Sequence, residues 1–332
     1  MKTKIVYSLV SDAKDHFLEQ LLISTYSIKL HNKDAHIVLV IDEESNKELT
    51  DDRQKALVYV DEKIVVKTPE LSKKSRSRWL KTSIRQIVQG DYLFIDTDTI
   101  ITCDLSEIDD IDGKICAVLD RHLPLDKNQR GETIIKQCKR SGWTPETQDY
   151  KYFNSGVMLV RDCQEARALY QEWHNIWENS YQRGIDIDQP ALGLANRQTG
   201  YQIRELCGVW NCQVLGNGLR YMYDAKILHY YNSDSRSILH SNPFVFSNIQ
   251  FQHQIKEAGY QLTREIKEMI TSPLRQFATS YEIIADERLE AFTSQVGSFI
   301  MRGYKQKSIL YRLLNLYVRA VIAVKDFVKS HK

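Results

Sequence analysis

The amino-acid sequence predicts an α/β protein in which a mostly parallel, Rossmann-like sheet lies between helices, followed by a helical C-terminal extension. Short, continuous apolar runs rich in β-branched residues alternate with helical patterns through the first half of the chain. Apolar runs without polar alternation are typical of parallel strands covered on both faces. Strand patterns end near residue 255, which predicts a domain at residues 1–250 and a helical extension at 251–332.

The elements follow in a regular order. The predicted strands lie at residues 5–10, 37–41, 64–66, 92–95, 115–119 and 152–160. The predicted helices include one beginning after Asp15, and others near residues 52–59, 77–88 and 164–177. Asp15 is suited to cap the first helix because its side chain can accept a hydrogen bond from a free backbone N–H. The polar segment 121–150 has no clear pattern.

The composition excludes several classes of protein. Lys and Arg total 45 and Asp and Glu total 43, and a net charge of +2 gives no general attraction for nucleic acid. The chain has no run of about 20 uncharged apolar residues and no apolar signal segment at its start. Its six cysteines lack the spacing of a zinc site. We therefore expect a cytoplasmic protein with reduced thiols.

Three common ligand-binding motifs are absent from the sequence. There is no GxGxxG dinucleotide fingerprint, no P-loop and no GxSxG elbow. An α/β sheet without them still binds its ligand beyond the carboxyl ends of its strands. Polar residues that follow apolar runs are therefore the candidates for a site.

Two acids follow the most apolar of the predicted strands. Asp96 and Asp98 come directly after residues 92–95, and side chains two residues apart in an extended chain point to the same side. Paired carboxylates favour a hard cation such as Mn²⁺ or Mg²⁺, with substrate phosphates completing the coordination. The alternative is a turn in which one carboxylate caps and the other is solvated.

A basic stretch precedes this pair. It contains six cationic residues and no acid, namely Lys73, Lys74, Arg76, Arg78, Lys81 and Arg85. One interpretation is a local anion site in which an arginine binds phosphate oxygens. The other is a solvated face of a helix.

Three further features are each weak evidence of a functional site on their own. Polar Asn154 and Ser155 interrupt an apolar strand, and the adjacent Gly156 permits a close approach to the backbone. Asp188 precedes a proline, which equally suits the start of a helix. His229 ends a short apolar run, where a structural role is the common one.

Together, these features give the sequence a resemblance to family 8 glycosyltransferases, retaining enzymes of the nucleotide-diphospho-sugar transferase (GT-A) fold. The resemblance runs from about residue 4 to residue 231. It rests on the blocks Ile5-Val6-Tyr7-Ser8, Arg78-Trp79-Leu80-Lys81, Leu93-Phe94-Ile95-Asp96-Thr97-Asp98, Phe153-Asn154-Ser155-Gly156-Val157, Asp188-Gln189 and Leu228-His229-Tyr230.

The resemblance implies a role for each matched residue. It implies that a divalent metal is bound by Asp96, Asp98 and His229, with Asp96 also near the ribose. It implies that the donor is contacted by Arg78 or Lys81, and that Ser8 lies near the base. It implies that the donor sugar is held by Asn154, Ser155, Gly156, Asp188 and Gln189, with Asn154, Asp188 and Gln189 nearest the reaction.

One departure from the family pattern concerns the leaving group. In many relatives the histidine is followed by a glycine and a Lys-Pro-Trp segment that touches the phosphates. Here His229 is followed by Tyr230 and Tyr231, and that lysine is missing. Lys226 and Arg236 are the candidate substitutes.

The predicted function is the retaining transfer of a hexose from a nucleoside diphosphate sugar to a glycan or lipid-linked acceptor. UDP-glucose and UDP-galactose follow from the resemblance alone. We favour attack on the same face as the departing phosphate because Gln189 is a poor nucleophile; a covalent intermediate on Asp188 is the alternative. Two other functions remain open. They are a metal-dependent nucleotidyltransferase, although residues 8–12 lack the glycine such a loop needs, and a non-catalytic nucleotide-sugar-binding protein.

The tail at residues 303–332 predicts a basic amphipathic helix. Its apolar positions recur at helical spacing and include Leu310, Leu314, Tyr317, Val321, Val324 and Val328. From Arg302 to Lys332 eight basic residues stand against one acid. One interpretation is a helix packed on the domain or on a second subunit of a homo-oligomer. The other is peripheral contact with the anionic inner face of the membrane.

Overall fold

The computed structural model describes residues 1–214, 217–230, 244–276, 291, 294–306 and 308–330. The described residues up to 276 form one compact unit, and those from 291 onward form a second. The strands of the first unit are β1 (Lys4–Leu9), β2 (Ile37–Asp42), β3 (Glu62–Val66), β4 (Tyr92–Ile95), β5 (Thr99–Ile101), β6 (Ile115–Leu119), β7 (Phe153–Val160), β8 (Ile203–Glu205), β9 (Cys212–Gln213) and β10 (Ile227–His229). Its α-helices are α1 (Phe17–His31), α2 (Glu43–Lys47), α3 (Lys73–Ile87), α4 (Gly131–Arg140), α5 (Gln164–Gln182), α6 (Asp188–Gln198), α7 (Ile249–Glu257) and α8 (Arg264–Thr271).

Seven strands form the central sheet in the order β3-β2-β1-β4-β7-β6-β8. The strands β1 to β4 run parallel, as do β6 and β8. Only β7 is antiparallel to both of its neighbours, β4 and β6. The predicted mostly parallel α/β sheet is therefore confirmed, and the reversal of β7 brings its first residues to the edge at which β4 ends.

Helices cover both faces of this sheet. Successive residues of β1 enter two different apolar clusters, with Ile5 and Tyr7 on one side and Val6 on the other. The first cluster includes side chains of α1, and the second includes Trp173 of α5 and Ile84 of α3. This double burial explains why the strands are continuously apolar.

The boundaries of two elements differ from those the sequence predicts. The helix α3 begins at Lys73 rather than at residue 77, because the Ser72 hydroxyl accepts a hydrogen bond from the Ser75 backbone N–H at 3.2 Å. The segment 121–150 contains α4, which buries Ile134 and Cys138 in a small separate cluster. At ten residues the helix is shorter than the window of about 11 to 18 residues over which a helical period is recognised.

A second, three-stranded sheet has the order β5-β10-β9. Its central strand β10 is antiparallel to β5, with His229 opposite Thr99. Because β5 begins one residue after Asp98, this pairing carries the end of β10 to the turn between β4 and β5.

Helices on the C-terminal side of residue 250 also belong to the first unit. Ile255 of α7 and Ile270 of α8 are fully buried in the same cluster as β1 and α1. The division at residues 250 and 251 stays a prediction.

The second unit contains α9 (Gln295–Lys305) and α10 (Ile309–Ser330). The two helices pack where Gly303 faces Tyr311; a Cβ atom at Gly303 would lie 3.0 Å from the Tyr311 Cβ atom. Tyr304 and Tyr311 also meet edge to face, with ring centroids 5.5 Å apart. Among the described residues, no helix combines the length and the apolar character needed to cross a membrane.

Candidate active site

The backbone of the turn between β4 and β5 is held by three hydrogen bonds. The Asp96 N–H donates to the Gly156 carbonyl oxygen at 2.7 Å, and the Tyr230 N–H donates to the Asp98 carbonyl oxygen at 3.1 Å. The Thr99 hydroxyl donates to the Asp96 carbonyl oxygen at 2.9 Å. Strands β7 and β10 therefore fix both acids at one place.

Asp96, Asp98 and His229 converge on one point. Each offers one ligand atom, and these atoms all lie within 4.8 Å of one another. The His229 Nε2 atom is 3.3 Å from a carboxylate oxygen of Asp98, and His229 is 2% exposed. Two carboxylates and one imidazole form a donor set that suits Mn²⁺ and related divalent cations. The two acids are therefore not a solvated turn, and His229 is not an isolated core histidine.

Gly156 is the residue that makes room for this cluster. A Cβ atom there would lie 2.4 Å from His229 Cε1 and 2.9 Å from a carboxylate oxygen of Asp96. The close approach predicted for this glycine is thus made by the two candidate metal ligands themselves.

Asp96 lies in an unusual electrostatic environment. Burial raises the pKa of its carboxyl group above the ordinary value, and the neighbouring charge of Asp98 acts in the same direction. The Lys81 ammonium opposes both effects by donating to the two Asp96 oxygens at 2.9 Å each. Lys81 is itself only 5% exposed, and its Nζ atom lies 5.1 Å from the centre of the Phe94 ring. The buried lysine therefore balances part of the negative charge at the centre.

A second ion pair lies beside the first. The Arg78 Nε atom is 3.0 Å from one carboxylate oxygen of Asp188, and the Ser155 hydroxyl donates to the other at 3.2 Å. Burial alone would raise the pKa of Asp188, but Arg78 and Lys81 outweigh it and hold the pKa below its usual value. Asp188 is the first residue of α6, and no side chain caps that helix. The carboxylate therefore holds Arg78 rather than a helix end.

The whole basic stretch of α3 is paired with acids. The Lys73 ammonium donates hydrogen bonds to Asp12 and Asp15. The Lys74 Nζ atom lies 3.8 Å from a carboxylate oxygen of Asp186. The Arg76 guanidinium forms ion pairs with Asp42 and Glu44. Arg85 reaches Asp162, while Arg78 and Lys81 hold Asp188 and Asp96. Most of these partners follow a strand of the central sheet or precede α6. The helix is thus neither a free anion site nor a purely solvated face, since its basic residues hold carboxylates at both ends of the central strands, with Asp162 beside the start of β4.

Two residues that the sequence analysis overlooked complete the site. The Asn211 Oδ1 atom lies 3.0 Å from His229 Nδ1, and the Asn211 amide donates to Asn154 Oδ1 at 2.9 Å. Asp120 accepts from Asn154 Nδ2 at 3.2 Å. Each borders an apolar run, because Asn211 follows Val209-Trp210 and Asp120 follows the last residue of β6. A polar residue beside an apolar run is the only signal that the sequence offers for them.

The remaining predicted residues are placed less centrally. Ser8 is the penultimate residue of β1, next to β4, and is half-buried. Gln189 follows Asp188 in the first turn of α6 and is also half-buried. Lys226 lies at the opposite end of β10 from His229, with its ammonium 3.1 Å from Glu107. Arg236 lies outside the described residues.

The chain matches the sequence model of one known protein family. The sequence model described as glycosyl transferase family 8 matches residues 8–242, which is more than half of the chain. No curated protein matches the chain in sequence.

Several solved structures resemble the chain at low identity. Mouse xyloside xylosyltransferase 1 in its apo form is 14% identical, with a TM-score of 0.47 over 69% of this chain and 97% of that chain. Galactosyltransferase LgtC in complex with donor and acceptor sugar analogues is 14% identical, with a TM-score of 0.48 over 80% and 99%. Glycosyltransferase GlyE of Streptococcus pneumoniae TIGR4 is 17% identical, with a TM-score of 0.43 over 85% and 67%. None of these similarities indicates a substrate for this chain.

Proposed function

The chain belongs to glycosyl transferase family 8 and is therefore a glycosyltransferase, and we propose that it moves a hexose from a nucleoside diphosphate sugar to a saccharide acceptor with a divalent cation. The observation that carries this proposal is the convergence of Asp96, Asp98 and His229 within 4.8 Å, beside the buried Lys81. Mn²⁺ or Mg²⁺ held there would neutralise the charge that develops on the departing diphosphate. UDP is the proposed nucleotide, and glucose or galactose the proposed sugar.

The basic residues of α3 have a separate task in this proposal. A diphosphate leaving group gains negative charge as the bond to the sugar breaks, and fixed cations stabilise that charge. Lys81 contacts Asp96 of the candidate metal centre and Arg78 pairs with Asp188, whereas Lys226 pairs with Glu107 at the far end of its strand. Lys81 is therefore the favoured substitute for the lysine missing after His229.

We propose that Asp188 and Gln189 face the donor sugar. Asp188 is ionised and held by Arg78 and Ser155, so it can accept hydrogen bonds from sugar hydroxyls. Gln189 has an amide, which is a poor nucleophile, and the proposed reaction retains the anomeric configuration by attack on the face from which the phosphate departs. The departing phosphate takes the proton of the acceptor hydroxyl in this scheme.

The helical tail supports a proposal about location. The described part of α10 has exposed apolar side chains, including Leu316 at 63% and Tyr317 at 68%. No acid occurs in the sequence between Arg302 and Lys325. We propose that residues 303–332 bind an anionic membrane surface, near a lipid-linked or envelope glycan acceptor. Packing on a second copy of the chain is the competing arrangement.

The proposed reaction is tested by a screen of nucleotide sugars with and without Mn²⁺. A true donor stabilises the native protein, so the melting temperature of the protein should rise when the donor is added. The rise should be larger when the donor and Mn²⁺ are added together. Release of the nucleoside diphosphate then measures turnover. NMR of the anomeric proton of the product shows whether the anomeric configuration is retained. Stabilisation without turnover would instead favour a non-catalytic binding protein, and a product with inverted configuration would refute the mechanism.

A further inference from the structure

The imidazole of His229 has two nitrogen atoms with different neighbours. Nε2 faces Asp98 at 3.3 Å, on the side where the three candidate ligand atoms meet. Nδ1 lies 3.0 Å from Asn211 Oδ1. The Asp98 carboxylate is an acceptor on the Nε2 side. An amide oxygen only accepts hydrogen bonds, so the contact with Asn211 is a hydrogen bond only when Nδ1 carries the proton of the neutral ring. Nε2 then has the lone pair that a metal ligand requires.

The orientation of the Asn211 amide is fixed by a backbone group. Asn154 Oδ1 accepts a hydrogen bond from the Gly156 N–H at 2.9 Å, and a backbone N–H can only donate. The atom of Asn154 that faces Gly156 is therefore its oxygen. The same oxygen lies 2.9 Å from the Asn211 side chain, which must present its NH₂ group there. Its oxygen is consequently left for His229.

We propose that Asn211 is a positioning residue that fixes the tautomer of His229, and that the Gly156 N–H sets the polarity of this hydrogen-bonded chain. The inference rests on the proposed divalent cation but assigns a residue with no role in that proposal. Asn211 is fully buried and Asn154 is 4% exposed, so water does not compete freely for these bonds.

These hydrogen bonds also change the role expected of Asn154. Its carbonyl oxygen accepts two hydrogen bonds from within the protein, from Gly156 and from Asn211. A carbonyl oxygen has two lone pairs, so this acceptor is already used. Asn154 therefore acts on the site chiefly by orienting Asn211 rather than by accepting a hydroxyl of the sugar through that oxygen.

The test uses the full chain without donor. Asn211→Leu removes both hydrogen bonds at similar volume, whereas Asn211→Asp keeps an acceptor for the Nδ1 proton. Asn32→Leu is the matched control, because Asn32 is also buried and also makes two hydrogen bonds, with the backbone of Cys103 and Leu105, and neither partner is a candidate metal ligand. Mn²⁺ affinity is measured by electron paramagnetic resonance of the free ion. The His229 ring nitrogens are followed by ¹⁵N NMR at a pH where the ring is neutral.

The proposal makes three linked predictions. The metal-free wild-type protein should carry its His229 proton on Nδ1. Asn211→Leu should move the proton to Nε2, where the Asp98 carboxylate accepts it, and should weaken Mn²⁺ binding by about 10- to 100-fold, the usual effect of losing such a partner. Asn211→Asp should keep the tautomer and most of the affinity, and Asn32→Leu should leave both unchanged.

The outcomes separate this inference from the proposed function. A wild-type proton on Nε2 would overturn the inference even if Asn211→Leu cannot be folded. Unchanged tautomer and Mn²⁺ affinity in folded Asn211→Leu would overturn it as well. A wild-type protein that binds no Mn²⁺ would refute the metal centre, while the NMR spectrum would still decide how His229 is positioned.

Discussion

The active-site edge of the first unit and the helix α10 of the second distribute polar and apolar side chains in opposite ways. At the edge, buried carboxylates, amides and cations contact one another, as in the pairs Lys81–Asp96 and Arg78–Asp188. Along α10, apolar side chains such as Leu316 are largely exposed. Buried charge is stable only when it is paired, so the first region supplies its partners from within the fold. An exposed apolar face indicates that its partner comes from elsewhere.

Basic residues illustrate the contrast most directly. In α3 each of them has a carboxylate within 4 Å, which fixes its position before any ligand arrives. In the tail the sequence between Arg302 and Lys325 contains no acid at all. The same residue type therefore organises a site in one region and leaves a net positive surface in the other. Substitutions that break a pair in the first region should have the larger effects.

The largest effect is expected for Asp98→Asn. It removes one charged ligand of the candidate metal centre, and metal stabilisation of a leaving group contributes several kcal/mol, equivalent to about 10²- to 10³-fold in rate. Mn²⁺-dependent release of nucleoside diphosphate measures the loss. The fold should persist, because the substitution also removes the charge that acts unfavourably on Asp96.

The control for this variant is Asp34→Asn, at an exposed acid outside the site. It should keep wild-type turnover and wild-type Mn²⁺ dependence. Full Mn²⁺-dependent activity in Asp98→Asn would show that the paired carboxylates do not bind the ion.

The next effect concerns the stability supplied by the Arg78–Asp188 pair. Asp188→Asn leaves the half-buried Arg78 guanidinium without its carboxylate and should lower the free energy of unfolding by about 2 kcal/mol at neutral pH. The pKa of Asp188 is lowered in the folded state, so this stabilisation is complete above the ordinary carboxyl pKa of about 4. It is lost as the pH falls through the folded-state value.

Denaturant unfolding of the two proteins between neutral and acid pH measures this difference. The difference between the free energies of unfolding of the wild type and Asp188→Asn should shrink as the pH falls below about 4. Glu268→Gln is the comparison, since it breaks an exposed pair with Arg264 and should cost at most about 1 kcal/mol. A gap that stayed constant with pH would mean that the ionised carboxylate is not what stabilises the fold.

A third variant tests the space around the metal centre. In Gly156→Ala the new methyl group would meet the His229 ring at 2.4 Å, so the ring must move away from the acids. Mn²⁺ affinity, measured by titration calorimetry, should fall by about 10- to 100-fold. Gly184→Ala is the control, because its φ of +78° imposes backbone strain while no atom lies within 4 Å of the added carbon. Equal Mn²⁺ affinity in both variants would contradict the close packing at Gly156.

The sequence predicts a part of the site well when its residues are neighbours in the chain, and poorly when a long-range contact brings them together. The strand β4 and its two acids are contiguous, so a local pattern predicts them both. His229 reaches the same point only because β10 pairs with β5, a long-range contact for which the family resemblance, not the pattern, gave the indication. Asn211 and Asp120 had no such indication, since a single polar residue beside an apolar run is common. The helix α4 was not predicted because its ten residues are too few for a helical period to be recognised in the sequence.

The smallest effect is expected in the tail, where each charge acts alone. Arg319→Gln removes one basic side chain beside the exposed apolar residues of α10. A basic residue near an anionic bilayer contributes about 1 kcal/mol, so vesicle binding should weaken about fivefold. Co-sedimentation with anionic vesicles at low salt measures this, with neutral vesicles and Lys127→Gln, an exposed lysine of the first unit, as controls. Because salt screens the attraction, the difference should disappear at high ionic strength. If a form ending at Gln306 binds anionic vesicles as well as the full chain does, the tail does not attach to the membrane, and its apolar residues must be covered by protein.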